Sequence, residues 1–151
     1  MFEQLYDYRA RLLARLEAIT DEIADAAVEI PQGRWREPVK PGGRSPHAIL
    51  SSLCDVEQYA YSLRLQRILT EDTPALEPFT PQPHDPALTM TDLLAEYKSL
   101  RRAELELLRH LPPAGWARAG RHPLFGLRTV QWWAERTLEH SNRHLRELRG
   151  E

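Results

Sequence analysis

Apolar residues recur every three or four positions in four separate stretches of this chain. From about Phe2 to Val28 the stripe runs Leu5, Tyr8, Leu12, Leu16, Ile19, Ile23 and Ala27. That period is the period of a helix with one buried face. Thr20-Asp21-Glu22 offers an internal restart, since Thr and Asp favour N-cap positions. Ser45 as N-cap and Pro46 at the first helical position open a second helix, which runs to about Leu69. It carries Ile49, Leu50, Leu53, Val56, Tyr59, Ala60, Leu63 and Leu65. A third helix starts near Thr91-Asp92 and ends at Pro112-Pro113; Leu93, Leu94, Tyr97, Leu100, Ala103, Leu107, Leu108 and Leu111 mark its inner face. A fourth spans Arg128 to Arg149, with Val130, Trp133, Ala134, Leu138, Leu145 and Leu148 in register.

The intervening stretches lack that period. Pro31, Gly33, Pro38, Pro41, Gly42 and Gly43 break regular structure after the first helix. Trp35 in this loop is expected to pack back on the body, because an indole gains by burial. Pro74, Pro78, Pro81, Pro83 and Pro86 make a crossover loop between the second and third helices. Ala114 to Gly126 reads as loop. Four long helices without a convincing strand predict an all-α, single-domain four-helix bundle. The long connections, Glu29 to Arg44 and Glu71 to Leu88, leave room for a chain order other than strict up-down-up-down.

Composition narrows the function classes. A net charge of -2 and a pI near 6.3 argue against a broad nucleic-acid-binding surface, which needs clustered excess Lys and Arg. Cys54 is the one cysteine, so no internal disulfide forms; a reducing cytoplasm fits this. The sequence offers neither a signal peptide nor an apolar run of membrane-spanning length, which predicts no membrane partner.

The candidate chemistry lies near the C-terminus. His140 and His144 sit four apart on the fourth helix, so both imidazoles project from one face on successive turns. That spacing is a precondition for a metal site, and two histidines do not complete one.

Three segments carry a resemblance: Ser-Pro-His-Ala-Ile-Leu-Ser-Ser-Leu-Cys-Asp-Val-Glu in the second helix, His-Pro-Leu-Phe-Gly-Leu-Arg-Thr-Val before the fourth, and His-x-x-x-His-Leu within it. Together they resemble the DinB-like (YfiT-like) family across essentially the whole chain. The resemblance implies a four-helix bundle of the DinB/YfiT-like type with long crossover loops, and a homodimer. It also implies a divalent metal, nickel or zinc, held by one histidine of the second helix and two of the fourth. Characterised relatives include transferases and isomerases that use low-molecular-weight thiols. His140 and His144 match the fourth-helix pair. The second-helix histidine is replaced by Ser52, a neutral hydroxyl and a poor zinc or nickel ligand.

Asp55 lies about 60° from Ser52 around the helix, one turn on, and is the candidate third ligand. A hydrogen bond from Asp55 to a fourth-helix histidine is the alternative. Tyr59, two turns below Ser52, joins Trp133 and Thr137 as candidate pocket lining. His47, in the first turn, is expected to face solvent or cap the helix. Cys54 reads as a small buried hydrophobe. Of the adjacent Trp132 and Trp133, one is core and the other a candidate for a dimer interface. Glu57 reads as a surface charge; Arg101-Arg102, Arg143, Arg146 and Arg149 read as solvated faces. Two functional readings stand. One is a metal-dependent thiol transferase or hydrolase-like enzyme with a degenerate site. The other is a metal-free member that binds a small molecule or serves as a dimeric scaffold. A nucleic-acid role is disfavoured by the charge balance.

Overall fold

A computed structural model describes residues 2–82 and 84–151. Helix α1 spans Phe2–Val28 without interruption, so Thr20 starts no new helix. Its hydroxyl instead donates to the Leu16 carbonyl at 2.8 Å. Helix α2, Pro46–Val56, opens on Ser45, whose Oγ accepts from the Ala48 amide. It passes into a π-helical turn, Glu57–Ser62, and then α3, Leu63–Thr70, as one continuous rod. Helix α4 is Met90–Arg109, begun one residue earlier than Thr91-Asp92 alone suggests. Thr89 caps it, Thr89 and Asp92 closing a capping box. A short helix α5, Pro113–Trp116, precedes α6, Val130–Leu148, which Thr129 caps.

One expected loop is ordered. Ala119–His122 (β1) and Gly126–Thr129 (β2) pair antiparallel. Strands of four residues leave too little alternation to read, and Gly126, at φ +75°, closes the turn. The hairpin lies on α3 and the crossover loop at Gly120, where a Cβ would come within 3.0 Å of both Ile68 and Leu76.

The four long helices, α1, α2–α3, α4 and α6, enclose two apolar clusters. One holds Leu12, Leu16, Ala60, Leu65, Leu105, Leu108 and Trp133. The other holds Ile19, Ile23, Ile49, Leu53, Leu93, Tyr97 and Leu145. A polar layer separates them. Arg101, expected on a solvated face, is 1% exposed at its centre, and Glu57, expected at the surface, is 0% exposed. Arg101 Nη1 donates to Glu104 Oε1 at 2.6 Å, and Nη2 to Glu57 Oε1 at 3.0 Å and Ser141 Oγ at 2.8 Å. Its Nε donates to Thr20 Oγ1 at 3.2 Å. Thr137 also donates to Glu57. The layer therefore draws one residue or more from each long helix. Burying a guanidinium is tolerable only with this degree of pairing, and removing one partner of such a pair costs about 3–5 kcal/mol.

Two carboxyls share this one cation. Burial, then the negative charge of Glu57, raises Glu104 to about 8. Among the described residues neither Glu57 Oε2 nor Glu104 Oε2 has a hydrogen-bond partner, and a proton on Glu104 removes one of the two buried negative charges. The folded state keeps that proton above the ordinary value of 4.5, where the unfolded chain releases it. This contribution to stability is complete below about pH 4.5 and is lost as pH rises toward 8. Burial lowers His140 and His144, and their contribution has the opposite sign but ends near pH 6.5. Between pH 7 and 8, urea denaturation is expected to show stability falling with pH, by up to about 1.4 kcal/mol per unit. Glu104→Gln, a fixed mimic of the protonated acid, is expected to abolish that slope.

Candidate functional site

The π-helical turn sets which side chains of the second rod face α6. A π turn takes an extra residue per turn, so the helical register shifts across it. Tyr59, expected in the pocket, is left 45% exposed, and Tyr61 is buried instead. The Tyr61 ring lies 5.7 Å from the His140 ring and 6.3 Å from Trp133. Burial, then Glu57, raises the Tyr61 phenol to about 12, so it is neutral and a donor at physiological pH.

His140 and His144 come together as their spacing requires, with ring centroids 4.2 Å apart. His144 Nδ1 is 2.9 Å from the His140 carbonyl. A carbonyl only accepts, so Nδ1 carries the proton and Nε2 presents a bare lone pair. That Nε2 is buried and has no partner among the described residues; neither has His140 Nδ1. Burial, the neighbouring His144 and then Arg143 and Arg136 push His140 down to about 3. Burial likewise lowers His144. Both rings are neutral imidazoles at pH 7.

The other expected residues do not complete a ligand set. Ser52 is half-buried. Asp55 is buried, but its Oδ2 accepts the Gln82 amide at 2.8 Å and so ties the crossover loop to α2. Among the described residues no three His, Cys, Asp or Glu side chains converge closely enough to hold a metal ion. The residues present therefore do not fit a three-ligand centre. Thr137 and Trp133 are fully buried, Thr137 in the polar layer and Trp133 in the apolar core beside it. Trp132 is half-buried, edge-on to Trp133 and under the Arg128 guanidinium.

His47 is buried, not solvent-facing: its Nε2–H donates to the Leu88 carbonyl at 2.7 Å and pins the far end of the same loop. Cys54 donates its thiol to the Leu93 carbonyl, and burial pushes its pKa far up. A thiol so held is no nucleophile. His122 is buried on β1, stacked on Phe125 at 4.6 Å and 5.7 Å from Trp133. Arg64, 7% exposed, lies over Trp133. Neither Arg64 nor Tyr61 was distinguishable in the sequence from ordinary helical surface and core.

A sequence model of the DinB superfamily matches residues 4–148. The chain belongs to the DinB superfamily. Two solved structures share its fold. YfiT from Bacillus subtilis, described as a probable metal-dependent hydrolase with an unusual four-helix bundle topology, superposes with a TM-score of 0.74. The match covers 93% of this chain and 83% of YfiT at 22% identity. TT2238, a four-helix bundle protein, gives a TM-score of 0.70, covering 95% of this chain and 99% of its own at 22% identity. No curated protein matches the chain. Among the described residues of this DinB-superfamily bundle, no helix is long and apolar enough to cross a membrane.

The Asp55–Gln82 bond gives a direct test of the role of Asp55. Asp55→Ala is expected to cost about 1–3 kcal/mol and to speed proteolytic cleavage between Glu71 and Thr89, with metal uptake unchanged. Loss of metal in that variant, with the loop still protected, would make Asp55 a ligand.

Proposed function

We propose that this DinB-superfamily protein binds a small molecule on the histidine face of α6 and does so without a resident metal centre. The observation that carries the reading is the pair of buried imidazole nitrogens, His140 Nδ1 and His144 Nε2, that no group among the described residues satisfies. An unsatisfied buried polar atom costs about 1–3 kcal/mol, so a site that retains two is arranged for something that enters it. The bare lone pair of His144 Nε2 demands a donor, such as a hydroxyl, a thiol or an N–H. Because the ring is neutral, it is also in the right protonation state to accept a proton from such a group. Ser52 stands at the position where the family pattern has a histidine, Asp55 turns its Oδ2 to the Gln82 amide, and among the described residues no third His, Cys, Asp or Glu side chain joins the two imidazoles.

The second reading is a divalent-metal-dependent hydrolase or thiol transferase. The same two free nitrogens favour it, because an imidazole whose other nitrogen is bonded to a backbone carbonyl is oriented as metal-ligating histidines are. The description of YfiT as a probable metal-dependent hydrolase adds to it.

Elemental analysis of untagged protein, after incubation with zinc or nickel and desalting, separates the two. Our reading expects the wild-type protein to retain well under one equivalent and Ser52→His to retain close to one. Near-stoichiometric metal in the wild type that disappears in His140→Ala would establish the second reading.

A further inference from the structure

Two buried donor side chains lie together beside α6, one a cation that no carboxylate among the described residues pairs with and the other an N–H that no acceptor among them meets. The Arg64 guanidinium carbon lies 4.9 Å from the centroid of the Trp133 ring. Its protein acceptor among the described residues is the Glu77 carbonyl, 3.1 Å from Nη2. No carboxylate among them pairs with it; burial lowers its pKa, and only Tyr61 opposes the shift. Buried cations in proteins are ordinarily paired. The second donor is the Trp133 indole N–H, on a residue that is 0% exposed, and among the described residues it has no acceptor.

The neighbouring groups extend the same deficit. His122 Nδ1 accepts the amides of Leu124 and Phe125, at 3.1 and 3.2 Å. The proton of this ring is therefore on Nε2, a third donor. Arg64 and Arg136 both depress the His122 pKa, and Arg136 lies over Phe125 with its guanidinium carbon 4.7 Å from the ring centroid. The one acidic group near Tyr61 in this region, Glu57, is held by Arg101 and Thr137. Among the described residues the carboxylate that Arg136 meets is the exposed Glu139, at 3.9 Å. The surroundings are cationic and donor-rich, and among the described residues no carboxylate pairs with Arg64.

We propose that Arg64, His122 and Trp133 form a receptor for one oxyanion group, a carboxylate or a phosphate, of the small molecule that this protein binds. A single oxyanion supplies both the missing counter-charge of Arg64 and the missing acceptor of the indole N–H. The bidentate fork of an arginine suits either group. The proposal rests on the reading of the α6 face as a small-molecule site, because Tyr61 joins the two regions by contacting both His140 and Trp133. It adds the substrate class: an anionic molecule whose acidic group is anchored at Arg64 while a hydroxyl, thiol or N–H reaches His144.

The test is calorimetric titration of the full chain with inorganic phosphate and, separately, with acetate, in a chloride buffer at pH 7. Saturable one-to-one binding of either anion is expected, weakened at least tenfold in Arg64→Met, which keeps the aliphatic stem over Trp133. Phosphate binding without acetate binding assigns a phosphate group, and the reverse a carboxylate. Should Arg64→Met fail to fold, the wild-type protein still answers: the Trp133 indole N–H resonance is expected to move on titration. No saturable binding of either anion, undiminished binding in Arg64→Met, or an unmoved indole resonance at saturation would overturn the proposal. Failure here, with Ser52→His still gaining metal, leaves the histidine site standing and removes only the anion.

Discussion

The burial of Arg101 is the constraint from which the rest of this bundle follows. A guanidinium in the centre of a four-helix core must find acceptors for all its N–H groups, and it finds them on every long helix: Thr20, Glu57, Glu104 and Ser141. Apolar side chains alone would let the helices slide or rotate at little cost. Directional hydrogen bonds from one residue to all four do not, because a shift of any helix strips a buried charge of a partner. The layer thus fixes register, and crowding a second carboxyl against the one cation raises the proton affinity of Glu104.

That register places the site. Glu57 opens the π-helical turn, and its carboxylate is held by Arg101 and Thr137. The turn then presents Tyr61 to His140, and α3 continues with Arg64 over Trp133. On the opposite flank of α2, Asp55 and His47 pin the crossover loop at Gln82 and Leu88. The polar residues of the second rod are therefore divided between three tasks: holding the core, anchoring the loop and furnishing the ligand face.

The bundle was legible in the sequence because its signal is periodic: the apolar stripes of α2, α6 and, from Leu12 onward, α1 follow the buried faces, whereas Leu5 and Tyr8 at the head of the α1 stripe are exposed. The polar layer was not, because charged residues at stripe positions read as breaks in the stripe. Yet Tyr97, Arg101, Glu104 and Leu108 follow one another at intervals of four, three and four, and this spacing was the available signal. Following apolar identity led instead to Ala103, which is exposed. Tyr59 was misplaced for a different reason. No local sequence feature announces a π turn, and one extra residue in the turn rotates every later side chain. The His140–His144 pair was legible from spacing alone, and Ser52 from the family pattern. The anchoring role of Asp55 needed the path of the Pro-rich loop, which no pattern in the sequence specifies.

The central claim is that the α6 imidazoles are neutral, free and without a resident metal. Long-range proton–nitrogen NMR of the histidine side chains, with and without one equivalent of zinc at pH 7, tests it most directly. The account predicts a neutral His144 protonated on Nδ1 and a spectrum of both rings unchanged by zinc. A stoichiometric shift of the His140 and His144 nitrogens on addition of zinc would contradict it.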